Sequence, residues 1–370
     1  MPGNFTEVLL TGDLVLDEPD PDHWLSGIAP ALRDSHLAIG HLEVPHTRCR
    51  TEAEGDVPAP GAPPENVAAI ARAGFGMVSL AGNHIADCGP DGIAQTVALL
   101  DACAVLHSGA GRDIAHARKI AVAEAGGWGI ALLSYNCVGP EFAWAGQASA
   151  GCAFLPVETR SGSPVSPRAD LGSLASAALE ILEEDITKAR RQADFVIVAL
   201  HQGTVHTPVR IENYEMEAAR AAIDSGADAV VAHHAHIVRG ISFHKDRPIF
   251  HGLGNGCVVT SALSPGQDHA VRAEWAKKRR EMFGFEPDPA YTLAPFHPEA
   301  VNAFIGRLRI GEDAKVEAGI IPVHVEAPGR PVLAQGAAAR AIADYVERIT
   351  VAAGLPPIRI EDDGRVEQVA

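Results

Sequence analysis

Apolar runs alternate with helix-patterned stretches along most of the chain. Uninterrupted or alternating apolar segments predict strands over 8–15, 37–42, 76–80, 130–135, 195–200, 229–232 and 249–252. Between them, apolar residues recur at helical spacing over 25–32, 66–73, 93–102, 171–192 and 213–225. A late hairpin over 305–310 and 316–324, then a helix over 337–353, complete the pattern. Strands with apolar residues at nearly every position are buried on both faces, so the expected class is layered α/β. Three stretches lack a regular period: 51–64, 139–168 and 261–298. Loops of that length in a compact domain serve as lids or binding loops. The expected organisation is a catalytic domain over 1–310, with 261–298 as a lid-like segment. A C-terminal strand and helix over 311–370 then pack on the same domain.

The polar residues that follow the strands carry the chemistry. Gly12–Asp13 follows the first strand, and His41–Leu42–Glu43 ends the second. Gly82–Asn83–His84, His201–Gln202–Gly203, His233–His234–Ala235–His236 and Gly252–Leu253–Gly254–Asn255 follow later ones. In parallel α/β sheets this edge is where side chains from neighbouring strands converge. Oxygen donors such as Asp13, Glu43 and Asn83 suit a hard divalent ion, and imidazoles such as His201, His234 and His236 suit a borderline one. Any one of these residues alone reads as a hydrogen-bonded rim group or a cap. Six such endings together predict a metal or acid/base site.

Composition narrows the partners. Lys plus Arg total 30 against 47 Asp plus Glu, a net charge of −17. That balance disfavours nucleic acid and anionic membrane surfaces. The 17 His exceed the usual share and strengthen the metal reading, whereas the six Cys form no CxxC and read as small buried apolar residues. The first residues show no basic, long apolar leader, and no apolar run reaches the ~18 residues of a membrane span. A cytoplasmic setting is therefore expected.

The ordered set of motifs resembles the CapA (poly-γ-glutamate capsule synthesis) family, a branch of the calcineurin-like metallophosphoesterase superfamily. The resemblance covers roughly residues 7–310 and implies an α/β/β/α sandwich with long rim loops. It implies that Asp13, Glu43, Asn83, His201, His234 and His236 bind metal, and that His84 handles protons. The chain departs from the family pattern at His41 and Gly82, where Asn is common, and at Ala235, where Pro is common. It also lacks an opening DxH, and Thr204–Val205–His206 replaces the segment where a glutamate usually follows His-x-Gly. Those departures imply one ion, calcium or manganese, rather than two.

A soluble branch of the family includes lasso-peptide epimerases, and the Pro295–Glu299 segment (Pro-Phe-His-Pro-Glu) is similar to theirs. The favoured expectation is therefore a metal-dependent epimerase that inverts the Cα of a peptide's C-terminal residue. The rivals are a metal-dependent phosphoesterase, a poly-γ-glutamate synthesis accessory protein and a metal-stabilised binding module. Epimerisation needs acid/base groups on opposite faces of the carbon. His84 with Asp87, and Asp13 with His297, are the expected pairs. Arg210, Arg239 and Lys245 are candidates to hold a peptide carboxylate. Phe142, Trp144, Trp275, Met282 and Phe283 are candidates for an apolar pocket.

Overall fold

The computed structural model describes residues 5–53, 59–262, 270–285, 288–293 and 297–369. Strands β1 (Thr6–Leu16), β2 (Leu37–Leu42), β3 (Phe75–Ser79) and β4 (Leu106–Ser108) lie parallel, side by side. A second sheet contains β5 (Ala121–Ala125), β6 (Trp128–Asn136), β7 (Phe195–His201), β8 (Ala229–His233), β9 (Ile241–His244) and β10 (Arg247–Phe250). Its order is β9-β10-β8-β7-β6-β5, with β6, β7, β8 and β10 parallel. The chain then returns to the first sheet as β11 (Asn255–Val259), β12 (Asn302–Ile310), β13 (Val316–Glu326) and β14 (Arg330–Leu333).

Strand period explains the layering. Ile130, Leu132, Phe195, Ile197 and Val231 pack with residues of the first sheet such as Leu10, Ala38 and Val78. Their alternates, Ala131, Leu133, Val196, Val198 and Val230, pack with Leu182 and Ile186 of helix Ser176–Arg190 and Ala218 and Ala222 of helix Asn213–Asp224. Helices Val67–Ala73 and Gly89–Ala102 cover β3 and β4 from the other side. The layers run α/β/β/α, as the resemblance implies. Residues beyond 310 continue the first sheet, since β13 pairs with β12 along its length.

Strand β1 changes neighbours halfway. Thr6–Leu10 pairs antiparallel with β12, and Asp13–Leu16 pairs parallel with β11. The register against β2 also shifts between Leu10 and Asp13. Gly12 sits at the changeover, where a Cβ would lie 1.8 Å from the Gly254 carbonyl oxygen. Only glycine tolerates that approach. The irregularity re-aims the next side chain, Asp13, as bulges beside functional sites commonly do.

Two expected elements differ, and one strand was not expected. The stretch 171–192 is not one helix: Leu171–Leu174 is a strand paired with Val157–Thr159, and the helix spans Ser176–Arg190. Gly172 and Ser173 are weak helix formers, and the pairing partner wins. The expected helix at 25–32 is two short ones, Pro21–Leu25 and Ala29–Asp34. Gly27 separates them, pressed so close to the Pro331 carbonyl that a Cβ would meet it at 2.3 Å. Strand β11 had no periodic signal, because a five-residue run directly after a Gly-rich turn is too short to show one. In the lid-like segment, helix Ala270–Phe283 is anchored by an Arg272–Glu52 ion pair. The side chains of Trp275, Met282 and Phe283, and residues Pro295 and Phe296, lie outside the described residues.

Candidate metal centre

The second half of β1 and the C-terminal ends of β2, β7 and β8 bring most of the expected ligands together. Asp13 Oδ1 accepts a hydrogen bond from the His234 N–H at 3.3 Å, and its Oδ2 lies 3.7 Å from His236 Nδ1. Glu43 Oε1 lies 3.2 Å from His236 Nε2. His236 Nδ1 donates to Asn255 Oδ1 at 3.0 Å, so β11 contributes to the cluster too. His201 Nε2–H donates to Asn83 Oδ1 at 2.7 Å. The His234 ring packs 4.8 Å from that of His201. His234 and His236 both take positive φ (89° and 52°), which folds the end of β8 tightly enough to present both rings.

His41 joins this group, although it was not among the expected ligands. Its Nδ1 donates to Ser79 Oγ at 2.8 Å, while that hydroxyl donates to the Gly40 carbonyl. The fixed tautomer leaves Nε2 as a lone-pair donor. His41 Nε2 and His201 Nδ1 are buried and have no hydrogen-bond partner among the described residues. A usable signal was present in the sequence: His41 and Glu43 are two apart at one strand end, hence on one face.

Two donor groups result, Asp13–His41–His201 and Asp13–Glu43–His236. Within each, one ligand atom per residue lies within 4.8 Å of the others. Burial, followed by the neighbouring imidazoles, holds His41 and His201 well below the usual histidine range, so both are neutral, as metal ligands must be. Burial works against charge on His236, but the Glu43 and Asp13 carboxylates outweigh it and raise the imidazole to about 10. Burial and the Glu43 charge lift Asp13 to about 7. In the metal-free chain the His236 imidazolium supplies the positive charge that buried carboxylates need. Orphaned imidazole nitrogens beside carboxylates with only a proton to balance them form a donor set that fits a divalent cation.

The proton-handling pairs fare differently. His84 Nδ1–H donates to Asp87 Oδ2 at 2.7 Å, and both side chains are buried. The pair closes across a turn, with the Asp87 N–H on the His84 carbonyl; the helix starts later, at Gly89. The expected Asp13–His297 pair is not formed. His297 Nδ1 accepts the Glu299 N–H at 3.0 Å and caps the short turn Pro298–Val301. Asp13 is engaged instead by His234 and His236. The His297 ring lies 4.6 Å from Phe285 and 6.2 Å from His206. His206, not anticipated as a site residue, also stands 6.2 Å from His236, with φ 57° and its N–H on the Ala235 carbonyl. Its only sequence signal was the altered segment after His-x-Gly.

The expected carboxylate holders are committed elsewhere. Arg239 is fully buried in an ion pair with Glu215, below Gly203, where a Cβ would meet its guanidinium at 2.3 Å. Arg210 pairs with Glu212, and Lys245 with Asp224 at 2.6 Å, both on the surface. Trp144 stacks on Phe154 with centroids 4.2 Å apart, and Phe142 is exposed, so neither lines an apolar pocket at the centre.

Fold and cluster define a layered α/β protein built around a buried, cation-ready centre. The profile of the family described as bacterial capsule synthesis protein PGA_cap matches residues 7–258, and the chain belongs to that family. It is 26% identical to the capsule biosynthesis protein CapA of Bacillus anthracis over 242 residues, covering 63% of this chain and 53% of that protein. It is 25% identical to the PGA biosynthesis protein CapA of Bacillus subtilis over 243 residues, covering 65% and 58%. The chain thus spans about half the length of the curated relatives it matches. A solved calcineurin-like phosphoesterase of Bacillus subtilis aligns over 94% of this chain and 97% of its own, at 10% identity and a TM-score of 0.37.

Proposed function

We propose that this chain is a divalent-metal-dependent hydrolase of the phosphoesterase type. The observation that carries the reading is the pair of donor groups sharing Asp13, with the His84–Asp87 dyad close enough for His84 to influence the Glu43 carboxyl. A bound cation would draw charge from a substrate oxygen in a water-poor site. Asp87 fixes the His84 tautomer and steadies its imidazolium, so that Nε2 delivers a proton to the departing oxygen. Asn83 holds the His201 ring in place through its Nε2–H. Calcium and manganese are the ions proposed for the oxygen-rich Glu43–Asn255 side, with a cytoplasmic setting. The test is release of an aryl alcohol from an aryl phosphate or phosphodiester by the metal-loaded chain. Activity that survives chelation, or His84→Ala at the wild-type rate, would reject the reading.

A second reading has its own support. His206 stands 6.2 Å from His236, and His297 6.2 Å from His206, which gives imidazoles besides the His84–Asp87 dyad near the cluster. Inversion at a carbon needs two proton carriers, and ester hydrolysis does not. The corresponding substrate is a peptide whose C-terminal Cα is epimerised, as in the lasso-peptide branch. The relatives' names point to a third role, as an accessory in poly-γ-glutamate synthesis. Incubation of a candidate peptide in D₂O distinguishes these: one deuteron at Cα selects epimerisation, and phosphate release without exchange selects hydrolysis.

A further inference from the structure

We infer that His41 makes the Asp13–His201 corner a nitrogen-rich cation position, selective for zinc- or cobalt-like ions over calcium. The inference rests on the proposal that this centre binds a cation, and it concerns which ion and through which atom. His41 is 1% exposed, and its ring is confined between His201 at 4.6 Å and His233 at 4.8 Å. Ser79 fixes which nitrogen faces the cluster. The exposed lone pair belongs to Nε2, buried and without a partner among the described residues.

The space in front of that nitrogen is kept by Gly82. A Cβ at position 82 would lie 2.8 Å from His41 Nε2 and 3.2 Å from its Cε1. A histidine serving only as packing would gain from an apolar neighbour there, or from a hydrogen-bond partner. This one instead has the donor atoms of Asp13 and His201 within 4.8 Å. The two sides of the centre therefore differ in chemistry. The Asp13–His41–His201 side offers two neutral imidazoles and one carboxylate. On the other side, Glu43 and Asn255 add oxygens around His236. Imidazole favours borderline ions and oxygen favours hard ones, so His41 biases the first position toward nitrogen-preferring metals.

The experiment titrates the full, chelator-stripped chain with zinc(II), cobalt(II), manganese(II) and calcium(II) by calorimetry, and reads the visible absorption of the cobalt form. Loss of a supporting group around a ligand lowers affinity about 10- to 100-fold. The His41→Asn variant should therefore lose ~100-fold or more in zinc and cobalt affinity and change the cobalt spectrum, with calcium binding retained. Gly82→Ala should act in the same direction by closing the space. Ser79→Ala, which frees Nδ1 without touching the ligand, should give a loss of about 10-fold and keeps the test available if His41→Asn fails to fold. Unchanged zinc and cobalt affinity in the folded variants overturns the inference, as does an equal loss for every ion. A wild-type chain that binds none of the four ions rejects the centre itself, and His41 with it.

Discussion

Two buried polar clusters involve the second sheet and have opposite characters. On its helix-covered face, Asp185 accepts from Arg118 Nε at 2.6 Å, Arg118 Nη2 at 2.8 Å and the Tyr135 hydroxyl at 2.9 Å, and Arg118 also reaches Glu184 at 2.8 Å. That network is closed. At the strand ends, His41 and His201 are also buried but keep a ring nitrogen without a partner among the described residues. Buried polar groups are normally satisfied, because leaving one open is costly. The closed cluster holds helix to sheet, and the open one keeps nitrogen lone pairs available beside carboxylates.

The comparison can be broken from either side. The largest effect should come from Asp13→Asn, which removes the carboxylate common to both donor groups. Cation affinity should fall by more than ~100-fold in calorimetric titration, while the metal-free protein stays folded by circular dichroism. His84→Ala should lower kcat by about 10²- to 10⁴-fold in steady-state kinetics with metal content unchanged. Asp185→Ala should do the reverse. Stranding Arg118 and Tyr135 should cost about 3 kcal/mol in urea unfolding, with the activity of the folded fraction intact.

Acidity should act on the open cluster. His236 carries a proton below about 10 in the metal-free chain and must lose it to bind a metal. Affinity should therefore rise with pH up to that value and weaken as pH falls, by about tenfold per unit for each proton released. A flat affinity between pH 6 and 9 would remove His236 from the ligand set. Lys245→Ala marks the lower limit of the scale. Its exposed pair with Asp224 should shift stability by less than ~1 kcal/mol and leave metal binding untouched.

The sequence exposed the layering and the convergence of strand ends because both follow from short-range patterns. An apolar run marks a strand buried on two faces, and the residue after it falls on a shared edge. Asp13, Glu43, Asn83, His201, His234 and His236 were legible in that way. Side-chain direction in irregular segments was not. His297 belonged to a loop whose course no period reveals, and it caps its own turn. His206 depends on a left-handed backbone position. Arg239 read as a rim cation, although its buried partner Glu215 lies on a helix 24 residues earlier. Gly12 had an evident role as a turn residue, but its closeness to Gly254 required β11, which left no pattern.

The change of neighbours within β1 also bears on the order of assembly. Asp13 lies in β1, yet its backbone partner on β11 is Asn255, and the first half of the same strand pairs with β12. The cluster is therefore assembled only when segments far apart in sequence, β1 and β11, have met. The donor set is completed by this long-range pairing and not by a local turn.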